Sequence, residues 1–432
     1  MARAARQDGG PARAAQAPGE VRVPAARGVV AGTDGRLTAY AYTTEGVLRW
    51  TEERSGGAKW HGPEFFPVPG LNHLTVAQGA NGYAHLVGRR VRTRDDGTEI
   101  LDILHAVQYQ TGRALGAFRS AGTPHPKNPE RRLGDPGAAS DAGGTVHLLT
   151  RNYPGGGLML RREDKTGKWE PWKDIKGSKV HNPPAVVPTS TGAVEILASS
   201  DGPAFHWVSE KPFTAFARRP DIPLSVRAGS LTGLETSPGQ VTWYWTDRER
   251  GGIVAHRLGG WLIPIGGAPE EGPVAALRTE LDGVDSTVLA HRDASGQVLT
   301  AACASEEEGA GVWWAPTGLN GTGAPALAVD GAGRVVVGLF GPDGRPRLGA
   351  SGAGARAGAG ARPGGVRPPA TTGRGRPPVG DRPLRVSPTG AQPPEAGDFL
   401  ADSGMSTSLR IAFHTCPACG SAGTTRLGSC AS

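Results

Sequence analysis

GRLTAYAY from Gly35, GYAHLVGR from Gly82, GTVHLLTR from Gly144, GAVEILAS from Gly192, GQVTWYWT from Gly239, GVDSTVLAHR from Gly283 and GRVVVGLF from Gly333 share one design: a glycine turn opens a short alternating strand. Their spacings are 47, 62, 48, 47, 44 and 50 residues. Self-similarity at a period of about fifty residues with strand content is the mark of a β-propeller, one blade per repeat. The reading is an all-β, seven-bladed β-propeller. A fold assigns no chemistry, so function has to come from a site.

A second register supports the first. Further glycine turns follow at Gly46, Gly97, Gly157, Gly202, Gly252, Gly296 and Gly344, ten to fifteen residues after each opening glycine, and each leads into another strand such as VLRW or IVAHRL. Two strands joined by a glycine turn make a hairpin. Apolar stretches lie upstream of most repeats, at 29–31, 74–77, 185–187, 231–234, 274–277 and 326–329. Aromatic or apolar segments lie downstream, at 60–66, 114–118, 169–172, 213–216, 261–265 and 313–314. Each repeat therefore supplies four strands, and residues 28–349 supply seven blades.

The seventh blade reads as incomplete. After Arg347 and Leu348 the sequence turns into SGAGARAGAGARPGG, with no Trp-bearing outer strand. EVRVP at 20–24 alternates, which makes it a candidate closing strand that would remove an exposed edge. The alternative is a truncated blade. Residues 1–27 read as a disordered basic lead, and residues 350–432 as a low-complexity disordered tail or a shifted reading frame. The flanks carry net charges of +3 and +5, which leaves −1 for the body of a chain whose total is +7. A near-neutral propeller offers no basic face for phosphates, so nucleic acid is not the expected partner. No apolar run reaches the roughly eighteen residues of a membrane span. The N-terminus as given has no secretory h-region, and export stays open.

The candidate chemistry is sparse. Cys416-x-x-Cys419, with His414 and Cys430 nearby, is a single knuckle set among Gly, Ser and Ala, and no metal is assigned to it. Cys303 sits on an apolar strand and reads as a small core residue. Many acids sit in turns (Asp34, Asp201, Asp282, Asp343), where Asp beside Gly is ordinary turn chemistry. His85, His147, His206, His256 and His291 recur within strands, which argues for packing or for repeated sites and against one catalytic base. No His-Glu-x-x-His or Gly-x-Ser-x-Gly pattern is present. No catalytic residue and no cofactor are assigned, and the chain is not read as an enzyme.

The aromatic segments are the strongest functional lead. All ten Trp lie between positions 50 and 314, and KWEPWKDIKG at 168–177 holds two of them three apart. Trp60, Trp261 and Trp313 fall at related points. An aromatic face stacks on the C–H face of a sugar ring, and neighbouring polar groups read its hydroxyls. The expected carbohydrate-binding residues are Trp60, Trp169, Trp172, Trp261 and Trp313. The competing role for each is packing against the next blade.

At these residues a family resemblance enters. TDGRLTAYAYTTEGVLRW, SDGPAFHW and KWEPWKDIKG resemble the PLL-type β-propellers, which include bacterial seven-bladed fucose-binding lectins, and the related tectonin repeats are similar. The likeness covers about 28–349 and neither flank. It implies glycan recognition, of fucosylated glycans among others, at pockets between blades, and an extracellular setting. Blades two, four and seven depart from it by lacking the W-x-x-W segment. The 62-residue step from the second blade to the third is also long, and its insert GTPHPKNPERRLGDP at 122–136 reads as a surface loop. The expected activity is non-catalytic, lectin-like carbohydrate binding. Its rivals are a protein-interaction scaffold and a glycan-cleaving enzyme with acids in the channel. The sequence leaves the oligomeric state open.

Overall fold

The computed structural model describes residues 20–24, 27–128, 132–181, 183–351 and 413–415. These residues form seven four-stranded antiparallel sheets, each laid down in chain order across the sheet, the last strand of the seventh coming from residues far beyond its neighbour. The first blade is β1 (Val29–Ala31), β2 (Leu37–Thr43), β3 (Gly46–Glu52) and β4 (Trp60–Pro67); the second is β5 (Leu71–Gln78), β6 (Ala84–Thr93), β7 (Glu99–Gln108) and β8 (Arg119–Gly122). The third is β9 (Gly137–Ser140), β10 (Val146–Arg151), β11 (Leu158–Arg162) and β12 (Lys173–Lys176); the fourth is β13 (Ala185–Pro188), β14 (Val194–Ala198), β15 (Phe205–Ser209) and β16 (Ala217–Arg218). The fifth is β17 (Thr232–Ser237), β18 (Gln240–Thr246), β19 (Ile253–Arg257) and β20 (Leu262–Gly266); the sixth is β21 (Ala275–Leu281), β22 (Val284–Arg292), β23 (Gln297–Ala304) and β24 (Ala315–Asn320). The seventh is β25 (Thr322–Val329), β26 (Val335–Phe340), β27 (Pro346–Ser351) and β28 (Phe413–Thr415). The molecule is a seven-bladed propeller.

The opening glycines work as the repeat requires. Gly35 and Gly144 take φ of +73° and +83°, a region that L-residues rarely adopt. In the turn before β10, Asp141 Oδ1 accepts from the backbone N–H of Gly143 and Thr145 at 3.0 and 2.9 Å. Asp330 does the same before β26, accepting from Ala332 and Arg334 at 2.9 Å each. Asp at such places satisfies a turn's donors.

Three expectations change in detail. The aromatic segments at 114–118, 169–172, 213–216 and 313–314 lead into the outer strands, which begin immediately after them at Arg119, Lys173, Ala217 and Ala315. The physical reason is packing: Phe118, Trp169, Trp172, Phe216 and Trp314 turn into the clefts between blades. The outer place in the seventh blade goes to β28, which pairs with β27 through Thr415 opposite Gly349. Residues 20–24 lie elsewhere, with Arg22 bridging to Tyr42 of the first blade and Val21 and Val23 close to Gly344 and Gly323 of the seventh. The disorder expected of the lead and the tail concerns residues that otherwise lie outside the described ones.

The insert at 122–136 is tied down at its far end. Leu133 is buried and bridges to Asn152, and its carbonyl accepts from Arg89 at 2.8 Å. Asp135 pairs with Arg89 at 2.9 Å. The apolar side chain of Leu133 anchors the far end of what the sequence presents as a surface loop.

Close blade-to-blade approach is set by small residues. A Cβ on Gly233 of β17 would stand 2.5 Å from Val187 Cγ2 and 2.6 Å from two ring carbons of Trp243. Trp243 is fully buried, so it has no room to yield. Gly233→Ala is expected to cost about 1–3 kcal/mol by overpacking, read as a lower denaturant midpoint at unchanged m-value.

Candidate functional site

Between the second and third blades lies a pocket of about 670 Å³. Its wall is built from two sheets. β7 supplies Asp102 and β8 supplies Ser120, while β11 supplies Arg161 and the segment before β12 supplies Trp172. The long β6–β7 hairpin adds Arg92 and Arg94, and the start of the insert adds Thr123 and Pro124.

Asp102 is buried and held from two sides. Arg90 Nη2 donates to its Oδ2 at 2.9 Å, and Ser120 Oγ donates to its Oδ1 at 2.6 Å. Arg161 spans the cleft. Its Nε donates to the Glu170 carbonyl at 2.8 Å, and its Nη1 donates to the Ala121 carbonyl of the preceding blade. Its guanidinium carbon lies 5.8 Å from the Trp169 ring centroid and 5.9 Å from that of Trp172. That is cation–π range. Partial burial lowers the pKa of Arg161. The cleft thus holds an aromatic surface, a fixed cation and a fixed carboxylate, which is the equipment for reading a polyhydroxylated ring.

The sequence-predicted tryptophans do not share one position. Trp169 and Trp172 come together about Arg161, and both also rest on the core around Val87, Ile103 and Leu148. Trp169 makes a further edge contact with His105 at 5.4 Å. Trp60 opens β4 and packs beside Trp50 and Leu48. Trp261 stands in solvent, 92% exposed, and Trp313 is 57% exposed. The neighbour of Trp313, Trp314, turns inward and donates its indole N–H to the Ile265 carbonyl at 2.8 Å.

Arg161, Asp102 and Ser120 were missed in the sequence. One signal was available. Arginine recurs on the third strand of several repeats, as Arg49 in VLRW, Arg161 and Arg162 in LMLRR and Arg257 in IVAHR. At three junctions that arginine is closed off. Arg49 donates to Gln108 Oε1 at 2.7 Å and to the Arg113 carbonyl at 2.6 Å, and pairs with Glu64. Arg162 donates to the Phe213 and Thr214 carbonyls at 2.7 and 2.8 Å. Arg257 pairs with Glu308 at 2.8 Å and donates to the Glu306 carbonyl at 2.9 Å. Arg161 differs because its cleft stays open.

The recurrent histidines are buried. His147 meets Asp141 at 3.1 Å, His206 meets Glu195 at 2.9 Å, and His291 makes an edge contact with Trp314 at 4.6 Å. His85 stacks on His105 at 5.3 Å with ring nitrogens 3.1 Å apart, and burial pushes both down to about 4. The charge of His85 adds to the effect at His105. Cys303 is a buried core residue whose thiol is pushed up to about 12, first by burial and then by the charge of Glu308. The cysteines of the Cys416–Cys419 knuckle and Cys430 lie outside the described residues.

The inner strands line a channel of about 960 Å³. Its acids are mostly engaged. Glu235 accepts from Ser190 N and Gly239 N at 2.9 and 2.7 Å, and Asp285 accepts from Arg278 Nε at 2.8 Å. Glu280 is exposed on the wall and has no ion pair among the described residues. Two cooperating free carboxylates, the usual need of glycoside hydrolysis, are not what this wall presents among the described residues.

No family model matches the chain, and no curated protein matches it. Solved structures with a similar arrangement include the Aleuria aurantia lectin with a fucosyl-GlcNAc ligand, at 11% identity over 66% of this chain and 93% of that one, TM-score 0.43. A Penicillium chrysogenum α-L-arabinanase complexed with arabinobiose is similar at 13% identity over 63% of this chain and 88% of that one, TM-score 0.44. An ulvan-type polysaccharide lyase is similar at 9% identity over 77% of this chain and 93% of that one, TM-score 0.45. Each ligand and reaction belongs to the neighbour that carries it.

The histidine stack makes stability depend on pH. In the unfolded chain a histidine takes its proton near pH 6.5. In the fold His85 and His105 stay neutral down to about 4. The unfolded chain therefore binds more protons across this window, and stability falls as pH drops through it. His73, also held at about 4 by burial against the opposing pull of Asp135, contributes in the same direction. The expected result is a melting temperature that declines from about pH 6.5 to about pH 4, with a shallower slope in a His85→Gln/His105→Gln variant. A slope unchanged in that variant would reject the assignment.

Proposed function

We propose that this propeller is a non-catalytic carbohydrate-binding protein and that the cleft between its second and third blades is its principal site. The observation that carries this reading is the grouping of Trp169, Trp172 and Arg161 beside a pocket of about 670 Å³ that also holds Asp102 and Ser120. In this reading a sugar ring lays its C–H face on Trp172, while Arg161, Asp102 and Ser120 meet its hydroxyls. Each role uses a group already fixed by the fold, so little ordering entropy is lost on binding. Trp60 is a packing residue here, and Trp261 and Trp313 stand apart from this cleft as separate weak contacts. Fucosylated glycans belong in the first panel because of the sequence resemblance.

A second reading has its own observation. Trp261 and Trp313 are large aromatics left in solvent on the fifth and sixth blades, and exposed aromatics of this kind suit a protein partner. On that reading the chain is an interaction scaffold.

A glycan-array screen of the full chain separates the two, with Trp172→Ala and Trp261→Ala as paired variants. Carbohydrate binding at the proposed cleft predicts signal that falls about tenfold or more in Trp172→Ala, as expected for losing an aromatic platform, and persists in Trp261→Ala. An array silent for folded protein would favour the scaffold.

A further inference from the structure

The cleft between the second and third blades carries an excess of positive charge. Three arginines face it, Arg92, Arg94 and Arg161, against one carboxylate, Asp102. Asp102 is already neutralised: Arg90 pairs with it at 2.9 Å and Ser120 occupies its other oxygen at 2.6 Å. Arg92 and Arg94 are exposed and have no ion pair among the described residues. The acids nearest them in sequence are Asp95, Asp96 and Glu99. Of these, Asp96 accepts from the Thr98 N–H at 2.8 Å, and its pKa is lowered first by the Thr98 hydrogen bonds and to a smaller degree by the charge of Arg94; none of the three lines the pocket. Arg161 donates to two carbonyls, which carry no formal charge to balance its own.

We infer that the preferred ligand of this cleft is a sugar bearing an anionic group, a carboxylate or a sulfate ester, rather than a neutral glycan. The inference deepens the carbohydrate reading and rests on it. Its geometry assigns two tasks. Trp172 and Arg161 form the floor on which the ring sits. Arg92 and Arg94, on the projecting β6–β7 hairpin, stand at the rim where a ring substituent emerges, and they meet the anion. Guanidinium groups suit both carboxylate and sulfate oxygens, because their donors form a planar fork. The rim is solvent-exposed, so the gain is screened by salt.

The body of the chain is nearly neutral, which gives this asymmetry its meaning. A basic surface would attract any polyanion without selection. Here Arg92 and Arg94 set positive charge at the rim of a cleft that also holds an aromatic face, which a cation standing alone on the surface does not do.

The test uses the full chain and three probes: a galacturonate tetrasaccharide, a sulfated galactose disaccharide and the corresponding neutral galactose oligosaccharide. Each is titrated calorimetrically at about 0.05 M and about 0.3 M salt, against the native chain, Arg92→Gln/Arg94→Gln and Trp172→Ala. The expected result is anionic probes binding about tenfold or more tightly than the neutral one, with the gap closing at high salt and in the double arginine variant. Retained melting temperature shows that this variant is folded. Binding of only the uronate or only the sulfated probe supports the inference and identifies the anion. Equal affinity for neutral and anionic probes overturns it while leaving the carbohydrate reading intact, provided Trp172→Ala still weakens binding about tenfold or more. No binding of any probe, from folded protein also silent on the glycan array, overturns both.

Discussion

Each blade is a sheet with two apolar faces, and neither face can be buried without a neighbour. β2 and β3 show this directly, since every residue of both strands is buried. A single four-stranded sheet of this composition has nowhere to put Tyr40 and Leu48, which fall on opposite sides of the structure's cores. The ring is the solution. Val29, Leu37 and Trp50 of the first blade share a cluster with Val336, Phe340 and Leu348 of the seventh. The join is fastened by polar contacts as well: Gly331 N–H donates to the Gly35 carbonyl at 3.0 Å, and Arg334 Nη2 donates to the Gly56 carbonyl at 3.1 Å. Exposed sheet edges are thereby kept short and at the rim.

The same constraint explains where a site arises. A junction filled by an arginine that caps carbonyls of the next blade has no space left, as at Arg49, Arg162 and Arg257. Between the second and third blades two things differ. β6 and β7 are ten residues each, among the longest strands of the ring, so their hairpin projects. The insert after β8 then keeps the third blade's first strand from following at once. Both departures from the fifty-residue period border the cleft. Arg161 bridges the gap to the Ala121 carbonyl, Trp172 lines it, and Trp169 packs behind on the same core cluster.

Much of the architecture was legible in the sequence because it rests on turn chemistry. Glycines with positive φ and Asp turns must recur wherever a hairpin recurs, so the seven repeats and the inner strands were visible. The outer strands of the first and fifth blades fell where expected, and those of the second, third, fourth and sixth were placed a few residues early, since an aromatic segment looks the same whether it pairs in a sheet or plugs a cleft. Phe216 and Trp314 do the second. The last strand, β28, lies more than sixty residues beyond β27, and no local pattern links Phe413–Thr415 to Pro346–Ser351. In the candidate cleft, the pairing of Trp169 with Trp172 was readable from their spacing. Arg161, Asp102 and Ser120 were not, because they come from three strands of two blades and meet only through the pairing of sheets.

The 62-residue step breaks an otherwise even repeat, and packing gives that break a consequence. An even ring buries its junctions evenly, and each junction arginine then spends its donors on protein carbonyls. A junction can open a pocket and an aromatic face to solvent only if the local geometry breaks the repeat. Uneven blades therefore point away from several equal weak sites that act through avidity. In the proposed carbohydrate-binding reading, they favour one developed pocket whose selectivity rests on its own contacts, with the rest of the ring as the frame that holds them in place.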